Sequence, residues 1–273
     1  MKRIVFYLNQ SPDANEFQMF RDSFDKEGVR VEYCMSDAPV IDEFDSLVCT
    51  DDSNLYHKLK KSDKEPLAVV YNIDETDKFQ GARYFVLNPF EAECDYYLKI
   101  WQRLRNIPWV IARTKSLILR ETVEDDIDIF AKFYNNPEMT RYTDAVYNDV
   151  EKEKEYLKEY RRSVYEMNGF GIWTVVRRSD NSVIGRAGFS IRAGFDGAEI
   201  GYAIASEYQN HGYATEAIGE CIALAKEMRL EPIHAFVAAP NEASKRVLEK
   251  CGMHSTKELV WGIMDNPLER WEI

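Results

Sequence analysis

The segment Tyr208–Ala217, YQNHGYATEA, holds the residues whose types and spacing point most directly to chemistry. It joins an apolar run, AEIGYAIA at 198–205, to an amphipathic stretch, IGECIALAKEM. Gly212 follows Gln209, Asn210 and His211, and it precedes Tyr213 and Ala214. A helix starting here exposes N–H groups that have no partner within the helix, at its positive end. Glycine at the tightest point lets those amides converge on an anion. The small Ala214 allows a ligand to approach the backbone. These features make a phosphate or pyrophosphate cradle of backbone; an ordinary strand-to-helix turn is the alternative. No GK[ST] follows, so it is not a Walker loop, and a single glycine does not make the dinucleotide GxGxxG.

Two further places attract attention. Asn241 follows Pro240 at the head of EASKRVLEK and has the composition of a helix N-cap. In the first part of the chain, Asp51 and Asp52 follow the strand-like SLVCT, and Asp74 follows AVVYNI. Carboxylates at strand ends of an α/β sheet can bind magnesium or a ligand. The DxDx[TV] pattern is missing and no lysine is well placed as partner. A degenerate or regulatory binding role is the reading, beside plain loop aspartates, and no metal site is expected.

The elements that must position these residues follow from periodicity. Strands are expected at 3–8, 29–35, 46–50, 66–73 and 83–88, with helices at 15–28, 54–62 and 89–106. This alternation predicts a small Rossmann-like or flavodoxin-like α/β domain over 1–113. A second domain, 114–273, begins with a strand and a charged helical stretch broken near Pro137. Strands at 170–178, 182–192 and 198–205 follow, then a helix at 213–228, a strand at 232–239, a helix at 242–250 and a last hairpin. The run EKEKEYLKEYRRS has the charges of a solvated helix face.

Composition bounds the function. The chain has 273 residues, 45% of them apolar, and a net charge of −12. That balance argues against nucleic acid as partner, since phosphate backbones need a basic surface. It suits a cationic substrate, and a solvated acidic surface explains it equally well. The five cysteines lack CxxC spacing and read as free thiols of a reducing, cytoplasmic compartment. No apolar run reaches the roughly 18 residues of a membrane span, and MKRIVFYLNQ reads as a first strand rather than a signal peptide.

The pattern Gln209-x-x-Gly212-x-Ala214 after a strand resembles the acetyl-CoA pyrophosphate loop of the GNAT acyltransferases. The resemblance covers 117–273 and includes SVIGRAGFSIR, AEIGYAIASEYQNHGYATEA and PNEASKRVLEKCGMH. Its wording is nearest to the Rim branch, which acetylates ribosomal-protein N-termini. The resemblance implies a mixed-sheet GNAT fold, acetyl-CoA as co-substrate, and an acetyl group transferred to a primary amine of unknown identity. A small cationic amine and a peptide N-terminus both fit, and a homodimer is compatible. A non-catalytic acyl-CoA-binding protein is the second reading.

Site residues carry over position by position. The backbone at Ile204 and Ser206 would meet pantetheine in a gap between two strands. Gln209 and the amides of Asn210, His211, Gly212, Tyr213 and Ala214 would hold pyrophosphate. Asn241 would cap its helix and also contact pantetheine, with Lys245 and Arg246 near the nucleotide phosphates or on a solvated face. Glu199 lies where relatives carry a general base; binding a cationic substrate without acting as base, or pairing with Arg186 or Arg192, is the alternative. The relatives' acidic tyrosine is replaced by Leu248, which leaves Ser244, Cys251 or water to protonate the thiolate. Tyr142, Trp173 and Phe189 are the acceptor-pocket candidates, or core aromatics.

Overall fold

The computed structural model describes residues 1–36, 45–61, 65–142, 149–261 and 267–273. The chain forms two units, Met1–Ile107 and Pro108–Ile273. The division falls before 113 because Val110–Arg113 pairs antiparallel with Leu117–Arg120 and so joins the second sheet.

In the first unit, β1 (Arg3–Leu8), β2 (Arg30–Met35), β3 (Ser46–Thr50), β4 (Leu67–Val70) and β5 (Phe85–Leu87) form one parallel sheet. Their order is β2-β1-β3-β4-β5. Helices α1 (Ala14–Asp25), α2 (Ser53–Lys61) and α3 (Cys94–Leu104) alternate with them. β1 is paired on both sides and buried from Ile4 onward. A parallel strand covered on both faces reads as such a continuous apolar run. Asp13 caps α1, its Oδ1 accepting from the amides of Asn15 (2.9 Å) and Glu16 (3.0 Å). Phe20 and Phe24 of α1 then meet Tyr97 of α3 edge-on. The helix expected over 89–106 is shorter. Asn88, held out of the right-handed helical region before a proline, is left-handed, and Glu93 is extended, so α3 starts only at Cys94.

The second unit runs β6 (Val110–Arg113), β7 (Leu117–Arg120), α4 (Glu124–Tyr134), α5 (Pro137–Thr140), α6 (Val150–Tyr160), α7 (Glu166–Asn168), β8 (Ile172–Arg177), β9 (Val183–Ser190) and β10 (Ala198–Ile204). It continues with α8 (Tyr213–Glu227), β11 (Ile233–Ala238), α9 (Glu242–Lys250), β12 (His254–Trp261) and β13 (Pro267–Glu272). The sheet order is β12-β13-β11-β10-β9-β8-β7-β6. β10 and β11 are its parallel pair, and α8 supplies the crossover such a pair requires. α8 buries Ala217, Ile218, Cys221, Ile222 and Ala225, a stripe at three- and four-residue spacing. That stripe packs in one core with Ile200, Ile204, Val237, Leu248 and Trp271. Burying one such isoleucine contributes about 1.5–3 kcal/mol. The carboxylate of Glu216 fixes the start of α8: its Oε1 accepts from Thr114 Oγ1 and from the amide of Ser116, both at 2.6 Å.

Candidate active site

The site begins where two strands part. β10 and β11 share the rungs Ala198↔Ile233 and Glu199↔His234. From Ile200 to Ile204, β10 stays paired with β9 only. β11 meanwhile continues alongside β13 to Ala238. A wedge therefore opens toward the C-terminal ends of the parallel pair. Its closed end is pinned by Gly197, at φ +78°, where an added Cβ would overlap the carbonyl oxygen of Pro232.

The loop at the end of β10 has the expected form. Gly212 sits at φ +84° in the N-cap position of α8, with no side chain capping the helix. A Cβ placed on Gly212 would meet nothing within 4 Å, so the backbone faces open space. Asn210, at φ +63°, is left-handed as well. Gln209 braces the loop rather than reaching outward: its Nε2 donates to Ile204 O at 2.9 Å. Ser206 Oγ accepts from Asn136 Nδ2 at 3.0 Å, joining the loop to the turn before α5. His211 Nδ1 lies 2.7 Å from Gln209 O. A carbonyl only accepts, so Nδ1 carries the proton. The His211 ring stacks on Tyr213 at 5.7 Å.

Helix α9 supplies the other wall. Asn241 Oδ1 accepts from the amide of Ser244 at 3.1 Å, so the capping role holds. Arg246 is exposed. Lys245 is engaged elsewhere, with Glu242 (3.3 Å) and Glu269 (3.1 Å). Leu248 is fully buried. Cys251 Sγ lies 3.6 Å from Thr215 O, and burial raises its thiol pKa. Ser244 Oγ lies 2.8 Å from the hydroxyl of Tyr202, a residue the sequence reading did not single out. Burial pushes the Tyr202 phenol up to about 12. The signal that would have found it is alternation along β10: Tyr202 shares a face with Ile200 and Ile204, the face toward α8 and α9.

Glu199 lies on the opposite face of β10, at the last paired rung. Arg192 Nη1 approaches its carboxylate at 3.2 Å. Burial raises the Glu199 carboxyl above its ordinary value, and Arg192 opposes that rise. Arg186, the other pairing candidate, instead lies over the ring of Phe130 at 5.2 Å. Two of the acceptor-pocket residues need correction. Trp173 and Phe189 are core, 1% and 0% exposed, and meet edge-on at 5.3 Å. β8 and β9 are interior strands covered on both faces, so their aromatics are buried on either side. Tyr142 differs: it is half-buried and its hydroxyl donates to Pro240 O at 3.4 Å.

The first unit has a cavity of its own, about 520 Å³, at the C-terminal ends of β1, β3 and β4. Asp51 lines it, and its Oδ1 accepts from the amide (2.8 Å) and side chain (3.0 Å) of Asn9. Asp52 instead caps α2, accepting from the amide of Asn54 at 2.8 Å. Asp74 is exposed and outside the cavity lining, so the three aspartates do not form one site. Among the described residues no group of three His, Cys, Asp or Glu is arranged to hold a metal. No helix among them is long and apolar enough to cross a membrane.

Residues 116–254 match the family model described as an acetyltransferase (GNAT) domain, half of the chain. The chain belongs to the GNAT acetyltransferase family. It is 31% identical over 145 residues to the uncharacterized N-acetyltransferase YoaA of Bacillus subtilis, covering 52% of this chain and 81% of that protein. It is 34% identical over 127 residues to the probable N-acetyltransferase YjcK of the same organism, covering 45% and 67%. A solved GNAT acetyltransferase from Bacillus anthracis superimposes with a TM-score of 0.51 at 22% identity, over 59% of this chain and 96% of that one. That likeness is one of fold. The parted strands, the uncapped α8 and the Asn241-capped α9 all lie within the matched residues.

Proposed function

We propose that the protein transfers an acetyl group from acetyl-CoA to a primary amine, by direct attack in a ternary complex. The observation that carries this reading is the parting of β10 from β11 beyond the Glu199–His234 rung, with the Gly212 turn at the mouth of the wedge. The fit to the co-substrate rests on chemistry present there. Amides of Asn210 to Ala214 suit pyrophosphate, because unpaired helix-start N–H groups favour anions. The open edge of β10 from Ile200 to Ile204 suits the amides of pantetheine, which pair as an added strand would. When bound, acetyl-CoA supplies an activated thioester.

The chain's residues divide the proton work. Glu199 contacts the incoming ammonium and takes a proton from it, through water. Its raised pKa makes the carboxylate a better acceptor than an exposed one. On the other face, the Tyr202 hydroxyl keeps its proton throughout the neutral range. With Ser244 it forms a hydroxyl pair on the α9 wall that can return a proton to sulfur. The acidic chain favours a cationic acceptor, either a small amine or a peptide N-terminus.

For the first unit we propose a doubly wound, flavodoxin-like sheet serving a regulatory binding role. Its strand order is the support: the order reverses between β1 and β3, where ligands of such sheets bind, and Asp51 stands there.

The test is calorimetric titration of the whole chain with acetyl-CoA and CoA, followed by thiol release over a panel of polyamine, aminoglycoside and alanyl-peptide acceptors. Binding and turnover are expected. Binding without turnover over that panel returns the second reading, an acyl-CoA-binding protein. Absence of both overturns the proposal.

A further inference from the structure

His234 occupies β11 beside Glu199 of β10 at the final rung before the strands part. Residues directly opposite in a parallel pair point to the same face, on strands about 4.8 Å apart. The imidazole is fully buried, yet neither Nδ1 nor Nε2 has a hydrogen-bond partner among the described residues. Buried polar groups are paired in the great majority of cases, so an orphaned one calls for a reason. Its wall is aromatic: Phe195 lies 5.7 Å from the ring and Phe236 5.2 Å. Arg192 lies over Phe236 at 4.4 Å and also holds Glu199, so one guanidinium links the two strands on this face. The other charged groups around the ring are on β13: Glu272, opposite His234 in register, and Arg270, which pairs with Glu272 at 2.7 Å.

Resting on the acetyltransferase reading, we infer that His234 is a second proton acceptor of the amine subsite, working alongside Glu199. The reaction gives a second acceptor something to do. An alkylammonium ion loses two protons from nitrogen before it becomes an amide. The nitrogen forms its bond to the acetyl carbonyl carbon, and the carbon–sulfur bond breaks with its electron pair on sulfur. The Tyr202–Ser244 pair gives a proton to that sulfur and is reprotonated from solvent, while both nitrogen-derived protons leave to solvent through their acceptors, for a net release of one. A carboxylate holds one proton at a time, so an acceptor beside it lets the second leave nitrogen before the first has exchanged with solvent. The imidazole, itself fully buried, takes the second by way of Glu199 beside it and not by contact with the amine. Burial, with the positive charges of Arg270 and Arg192, lowers the ring's pKa against the opposing pull of Glu272, which holds it in the neutral form that has a free lone pair at neutral pH.

The experiment is carried out on the full chain, which has four histidines and so gives few imidazole resonances to resolve. The pH titration of the His234 ring is followed by NMR in the wild type and in Glu199→Gln. Loss of the neighbouring negative charge is expected to lower the His234 midpoint; an unchanged midpoint overturns the coupling. In parallel, kcat/KM against pH is measured for wild type, His234→Gln and His234→Asn, using the fastest amine of the panel above. The wild type should lose activity on the acid side with two ionisations and each His234 variant with one, with kcat lower by about 100-fold and acetyl-CoA affinity within about twofold. A folded variant that keeps both the rate and the two-ionisation limb overturns the proposal. If neither variant folds, the NMR comparison decides it. Failure of the acetyltransferase reading looks different: the wild type itself neither binds acetyl-CoA nor releases thiol.

Discussion

The hydroxyl of Tyr202 on β10 meets Ser244 Oγ in the first turn of α9 at 2.8 Å, across the mouth of the opened sheet. Ser244 and Leu248 are one helical turn apart on the same face of α9. The tyrosine from the strand therefore delivers its hydroxyl to the helix face on which the relatives' acid would stand. Tyr202→Phe should lower kcat by about 100-fold, the low end for general acid catalysis, because a thiolate leaves readily. Ser244→Ala should do less, and acetyl-CoA binding should survive both. Steady-state kinetics with calorimetry checks this; an unchanged kcat in Tyr202→Phe sends the proton role to water.

Gly212 tests the cradle. A left-handed backbone costs a residue with a Cβ about 1–2 kcal/mol. In Gly212→Val the strain adds to a branched side chain in the open space over the first-turn amides. Acetyl-CoA should bind at least about tenfold more weakly, while the melting temperature falls by roughly 2–8 °C from the backbone strain, with no packing loss added because Gly212 is exposed. Equal affinity in calorimetry would remove the loop from the binding site.

Glu216 tests how α8 is held. Burial alone would raise its carboxyl, but the bonds from Thr114 and Ser116 outweigh that and hold the pKa below its ordinary value. A folded-state pKa below the unfolded one stabilises the fold above the unfolded pKa, and that stability is lost as pH falls through the folded one. Glu216→Gln should therefore cost about 1.5–3 kcal/mol at pH 7, the range for hydrogen bonds to a charged group. The gap between mutant and wild-type melting temperatures should close as pH falls below about 4.

Much of this arrangement was legible in the sequence because its signals are local. The Gly212 turn, the Asn241 cap and the bounds of α9 depend on neighbours within a few residues, and each stands where it was expected. The Tyr202–Ser244 contact spans 42 residues and had no such signal. The orphaned His234 was hidden in an apolar run, since PIHAFVAA reads as a strand whatever its histidine faces. Trp173 and Phe189 were misplaced for a related reason. Alternation assigns residues to two faces but does not say that both faces of an interior strand are covered.

Arg192 offers the last test, because it acts on both proposed acceptors at once. Its charge lowers the Glu199 pKa, and it also lowers that of His234. Arg192→Gln should therefore raise both and move the acid limb of kcat/KM to higher pH. A guanidinium that served only to shape the loop would leave the limb in place and alter KM alone. The substitution also frees a half-buried carboxylate from its partner. Breaking a partly exposed pair of this kind costs less than breaking a fully buried one, so the variant should fold. A pH profile of Arg192→Gln that overlays the wild type would mean that neither Glu199 nor His234 governs the acid limb, and the proton would then be leaving through groups on another strand.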